Sequence, residues 1–236
     1  VFDRATERFI AVGSGAIWRG TAGECGSAPP VLERSSDGGA SWKDVTPTYR
    51  GIGQLLAVKA FAGDQGEIVA LMGDDCEPQA LRTFTYGQFW EPYDDVLANS
   101  WYIEPTEPST VSRPGGTLPL PCPDAHGLRS TTDVQALICA QTAYVLEPDG
   151  AWEARPASGV VAMTVASGDV IVAHSTETCA GLALTRYSDA APDRATDLGC
   201  VDDADPEAPT AVAISGTDAV VWTGNDWLVA PVTSQN

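Results

Sequence analysis

Residues 35–42 read Ser35-Ser36-Asp37-Gly38-Gly39-Ala40-Ser41-Trp42, SSDGGASW, and the fold of the chain turns on how this stretch is read. Two consecutive glycines suit the positive-φ conformations of a tight turn. An Asp just ahead of them offers a carboxylate to the turn amides, and the Trp behind them carries a large apolar surface to bury. The apolar run at Val31–Leu32 precedes the turn and Val45 follows it, so the stretch joins two strands. As one hairpin it says little; repeated in register it defines an architecture.

It does repeat. Thr83, Thr85, Gly87, Phe89 and Trp90 occupy the same frame one unit later, without the Asp, and a shortened copy stands at Asp149, Gly150 and Trp152. Around each copy the order of events is constant: an apolar strand, a turn, a second apolar strand, a loop that often carries a Cys, then a third strand, a turn and a Trp. Short runs such as RFIAVGSG, QLLAVKAF, EIVALMG, VQALICAQ, DVIVAHS and DAVVWTG have strand composition, and Gly and Pro punctuate them. No window shows helical periodicity between caps. Repeats of roughly 40 to 50 residues made of short strands point to an all-β fold, a β-propeller. The units predict one domain over 1–236 with five blades at about 9–50, 51–98, 99–158, 159–206 and 207–236. The last stops after its third strand, so residues 1–8 are expected to close it as an outer strand. Residues 92–127, rich in proline, are expected to form a long inserted loop. Six blades are the alternative if that segment hides a degenerate one.

Ser35, Asp37, Gly39, Ser41 and Trp42 match the S-x-D-x-G-x-[ST]-W pattern at every defined position and resemble the Asp-box, or BNR, repeat of β-propellers. The resemblance covers most of the chain but not 92–127. It implies that the box lies in the hairpin between the third and fourth strands of a blade, with Asp37 bonding the turn and Trp42 packing between blades. Sialidases, other glycosidases, sorting receptors and assembly factors carry such boxes, so the box implies structure and leaves function open.

Composition narrows the function. The chain has 32 Asp plus Glu against 13 Lys plus Arg, a formal net charge of -19. Such a surface repels phosphate backbones and anionic lipid, which excludes nucleic acid and bare anionic membrane as partners. No apolar stretch is long enough for a membrane-spanning helix, and the chain opens without a signal-peptide pattern. The Lys-poor, Ala-, Asp-, Val- and Arg-rich usage suits a high-GC bacterium.

Cys25, Cys76, Cys122, Cys139, Cys179 and Cys200 lack the close pairing of a zinc site and read as three disulfides in an extracytoplasmic protein, secreted or at the cell surface. Six cysteines allow 15 pairings. Repeat position favours Cys25 with Cys76 across neighbouring blades, Cys122 with Cys139, and Cys179 with Cys200.

Two classes of function stand against each other. A binding or scaffold module would recognise a protein or an envelope polysaccharide through irregular loops, and Tyr93, Trp101 and Tyr102 are its candidate residues. A sialidase-like or other glycoside hydrolase would act at the centre of the propeller. The early F/Y-R-I-P motif that sialidases share is missing from ERFIAV, and no local motif supports an arginine triad. No catalytic residue is assigned, and the binding module is favoured. The segment CVDDADPE offers Asp202, Asp203 and Asp205 as candidate calcium ligands, although Pro stands where the turn glycine of a calcium loop belongs. No other cofactor is expected.

Overall fold

The computed structural model describes residues 2–61, 63, 65–188 and 191–232. The chain forms two compact units, Val1–Pro119 and Leu120–Asn236. In the first unit, β1 (Arg8–Val12), β2 (Ile17–Thr21), β3 (Val31–Ser35) and β4 (Lys43–Asp44) make a four-stranded sheet. A second follows from β5 (Ile52–Phe61), β6 (Gln65–Met72), β7 (Glu77–Thr83) and β8 (Glu91–Pro92). After the short helix α1 (Asp94–Ala98), the strands β9 (Tyr102–Ile103), β10 (Thr110–Arg113) and β11 (Gly116–Pro119) form a three-stranded sheet.

The second unit repeats the scheme. Its first sheet is β12 (His126–Ser130), β13 (Gln135–Cys139), β14 (Thr142–Leu146) and β15 (Trp152–Ala154). The next is β16 (Val160–Ala166), β17 (Asp169–Thr176), β18 (Cys179–Ser188) and β19 (Ala191–Val201). The last has β20 (Thr210–Ser215), β21 (Asp218–Thr223) and β22 (Asp226–Pro231). Every sheet is an antiparallel meander in which each strand pairs with its sequence neighbour. Such sheets are blades, and the fold is an all-β propeller with six of them.

Six blades replace the expected five. The span expected as one blade at 99–158 holds two sheets, and the segment 92–127 contains α1 and the three strands of a degenerate blade, the alternative raised from the sequence, in place of the expected inserted loop. The closing strand is also corrected: Arg4–Thr6 is a 3-10 turn, capped by Asp3, whose Oδ1 accepts from Ala5 N at 3.1 Å. Among the described residues the final sheet has three strands.

The middle strands explain why the chain is so rich in short apolar runs. In β6, Ile68, Ala70 and Met72 enter the core shared with the first blade, beside Phe9, Trp18, Leu32 and Trp90. Val69, of opposite parity, enters a second cluster with Ala80, Val96 and Tyr102. A strand buried on both faces reads as a continuous apolar run, which is how EIVALM reads. The turn between β7 and β8 leaves large apolar side chains to solvent, and the candidate site lies there.

The structure forms the three disulfides Cys25–Cys76, Cys122–Cys139 and Cys179–Cys200, the pairs that repeat position favours. The first joins the opening two blades, and each of the others lies within the second unit. Among the described residues no helix is long and apolar enough to cross a membrane.

Candidate functional site

The site is built on a turn. In the first blade, Ser35–Trp42 connects β3 to β4. The Ser35 hydroxyl donates to Asp37 Oδ1 at 2.6 Å and accepts from Gly39 N at 2.8 Å. The Asp37 carboxylate accepts from Ser41 N at 2.9 Å and from the Ser41 hydroxyl at 2.5 Å. These donors favour the ionised carboxylate and hold its pKa down at about 2. Asp37 is therefore committed to the turn. Trp42 is half-buried, and the Arg19 guanidinium lies 4.0 Å from its ring centroid while its Nε donates to Glu33 at 2.7 Å.

The second blade repeats the turn with other atoms. The Thr83 hydroxyl accepts from Gly87 N at 3.0 Å, as Ser35 does from Gly39. The Thr85 hydroxyl accepts from Phe89 N at 2.9 Å, taking the place of the Asp37 carboxylate. Trp90 is the wedge between blades: it is fully buried, its ring meets Trp18 edge-on at 5.9 Å, and Nε1 donates to Val45 O and Gly87 O at 3.0 and 3.1 Å. Tyr49 and Arg50 clamp its backbone, Arg50 Nε donating to Trp90 O at 2.9 Å. In the shortened third copy, Asp149 Oδ1 accepts from Ala151 N at 3.0 Å.

With Thr83, Thr85 and Gly87 holding the turn, its remaining positions are free to carry other side chains, and they carry aromatics. Phe84 stands where the first blade has Ser36, Tyr86 where it has Gly38, and Phe89 where it has Ser41. They are 52%, 53% and 64% exposed. Tyr86 keeps the left-handed backbone of its glycine counterpart, φ 59° against 71° at Gly38. That conformation is unfavourable for a bulky residue. Phe84 also meets Phe61 at 6.0 Å and Tyr93 at 6.2 Å, both edge-on. The Arg82 guanidinium lies 4.8 Å from Tyr93, 5.2 Å from Phe61 and 5.8 Å from Phe84, and Glu67 Oε1 accepts from its Nε at 2.8 Å. Three rings and a carboxylate thus surround a cation at the edge of an aromatic surface.

Of the residues singled out from sequence, Tyr93 belongs to this surface. Trp101 is half-buried. Tyr102 is 6% exposed and packs with Val69, Ala80 and Val96, so its part is in the core and not on a recognition loop. Burial raises its pKa, against a hydrogen bond with Ser112. Asp202, Asp203 and Asp205 are exposed and do not converge. Asp205 Oδ1 instead accepts from Glu207 N at 2.9 Å within its own turn. Among the described residues, Cys179, Cys200 and Asp202 are the sole group of three ligand atoms within 4.8 Å, and a disulfide consumes two of them. Phe61, Arg82, Phe84, Tyr86 and Phe89 were missed. The signal was present in TFTYGQF, where aromatics fill turn positions that are polar or glycine in SSDGGAS.

No protein-family model and no curated protein matches the chain. Solved structures do. It is similar to the Aleuria aurantia lectin, in a mutant complexed with Fucα1-6GlcNAc, with TM-score 0.55 and 10% identity over 99% of this chain and 97% of that one. It is also similar to YCF48 bound to D1 peptide, with TM-score 0.52 and 18% identity over 95% of this chain and 77% of that one. At these identities the likeness is one of fold.

Proposed function

We propose that this chain is a non-catalytic recognition propeller of the Asp-box type, working outside the cytoplasm, and that it meets a protein or envelope-glycan ligand through the aromatic turn of its second blade. The observation that carries the reading is Tyr86. A large aromatic is held exposed on a left-handed backbone, in a turn whose first-blade counterpart uses glycine there. The arrangement sacrifices backbone free energy of about 1 to 2 kcal/mol for a side chain that the core does not use. Strain kept at an exposed aromatic, beside exposed Phe84 and Phe89, fits selection for contact with another molecule.

Two propellers of similar fold were solved with ligands, one a peptide and the other a fucosylated disaccharide, and both ligand classes remain open to this reading. Three disulfides fit an oxidising compartment. The test is a paired peptide and glycan array probed with the wild-type protein and with Phe84→Ser/Phe89→Ser. A ligand whose capture depends on the two rings supports the reading. Identical profiles for both proteins, or clear turnover of fluorogenic glycosides by the wild type, would sink it.

A further inference from the structure

We infer that the ligand of the second-blade surface is a basic peptide segment, one that presents arginine or lysine side chains to the aromatic turn; this rests on the recognition reading above and names the partner's chemistry. The first ground is local charge. Between Arg82 and Arg113 the chain has no Lys, Arg or His, yet it carries Glu91, Asp94, Asp95, Glu104 and Glu107. Glu91, Asp94, Asp95 and Glu107 are exposed, and Asp94 and Asp95 directly follow Tyr93. The nearby cations are engaged: Arg82 with Glu67, and Arg50 with Glu91 at 3.2 Å. Lys59, exposed on β5, and Arg34, beside the Tyr86 ring, are the other positive charges nearby, while Asp94 and Asp95 adjoin Tyr93.

The second ground is that the surface already holds guanidinium groups. Arg82 rests among Phe61, Phe84 and Tyr93, and Arg34 lies 5.4 Å from the Tyr86 ring. Rings of this kind attract a cation over their negative faces, so the exposed faces of Phe84, Tyr86 and Phe89 can take a partner's cation, and neighbouring carboxylates add charge-assisted hydrogen bonds. A neutral sugar would gain stacking from the rings but nothing from the carboxylates' charge. An acidic partner would be repelled by a chain of net charge -19.

The test uses calorimetric titration of the whole chain with a capped peptide of three arginines spaced by glycines, and with the same peptide carrying citrulline in place of arginine. Binding of the arginine peptide, weakened roughly tenfold or more by citrulline, is expected. Phe84→Ser/Phe89→Ser, which keeps the net charge, should lose a similar factor while still melting cooperatively above the titration temperature. Asp94→Asn/Asp95→Asn should weaken binding and flatten its salt dependence. Equal arginine-peptide affinity for the wild type and the phenylalanine variant would reduce the effect to general surface charge and overturn the inference. Ring-dependent capture of a neutral glycan, with no arginine-peptide binding, would overturn it while leaving the recognition reading intact. Loss of no ligand in the phenylalanine variant would bring down both.

Discussion

Trp18 and Trp90 touch edge-on in one core, yet they are held differently, and substitution should expose the difference. Trp90 Nε1 satisfies two buried carbonyls, Val45 O and Gly87 O. Trp18 is fully buried, and its Nε1 has no hydrogen-bond partner among the described residues. Trp90→Phe leaves two acceptors short of a donor, whereas Trp18→Phe loses packing alone. Urea denaturation is expected to show Trp90→Phe as the more costly by about 1 to 3 kcal/mol; equal losses would mean that the indole bonds contribute nothing net. Tyr86 yields the opposite sign. Tyr86→Gly removes the left-handed strain and should stabilise by about 1 kcal/mol while reducing ligand capture. Asp37 yields a pH effect. Its folded pKa of about 2 lies below the ordinary 3.8, so its contribution is present above about pH 3.8 and is lost as pH falls towards 2. Asp37→Asn should therefore flatten the acid limb of the stability profile, read as the urea midpoint between pH 5 and pH 2.5. A variant that keeps the wild-type slope would assign that limb to other carboxylates.

At the scale of elements, the turn is the unit in which sequence and structure agree best. The Asp-box pattern placed the β3–β4 hairpin, and the decayed copies at Trp90 and Trp152 placed two more, because turn chemistry is local and needs only Ser, Thr, Asp and Gly at fixed offsets. The third blade was illegible for the converse reason. Its strands Tyr102–Ile103, Thr110–Arg113 and Gly116–Pro119 are two to four residues long and separated by proline-containing connections. Val111 is the one residue of β10 that is buried, so no alternation could mark the strand. The aromatic surface was half legible. Tyr93 was found because it lies in an irregular stretch, while Phe84, Tyr86 and Phe89 were absorbed into the repeat they decorate. The disulfides also act on elements. Cys25–Cys76 closes a separation of 51 residues, against 17 and 21 for the other two. Chain-entropy reasoning then gives it about 4 kcal/mol, and about 3 kcal/mol to each of the others. Cys25→Ser/Cys76→Ser should accordingly lower the melting midpoint more than either of the corresponding double variants in the second unit. The reverse order would show that strain or residual structure outweighs loop length.

For the whole molecule the governing quantity is charge. With 32 acidic side chains and 13 basic ones, carboxylates outnumber cations by 19, a surplus of negative charge that no arrangement of ion pairs neutralises. The arginines that form close pairs, among them Arg19 with Glu33 across β2 and β3 and Arg155 with Glu147 at the ends of β15 and β14, are already used within their own blades. Self-repulsion of the remainder opposes the compact state and is screened by salt, since the Debye length falls from about 30 Å at 0.01 M to about 8 Å at 0.15 M. Raising sodium chloride across that range is therefore expected to raise the melting midpoint. The same titration should weaken capture of an arginine peptide, because there the long-range attraction is what salt removes. Opposite signs from one salt series tie both effects to the surplus of carboxylates. A midpoint that stays flat while binding falls would mean that the fold tolerates its charge without cost, and that the acidity serves recognition alone.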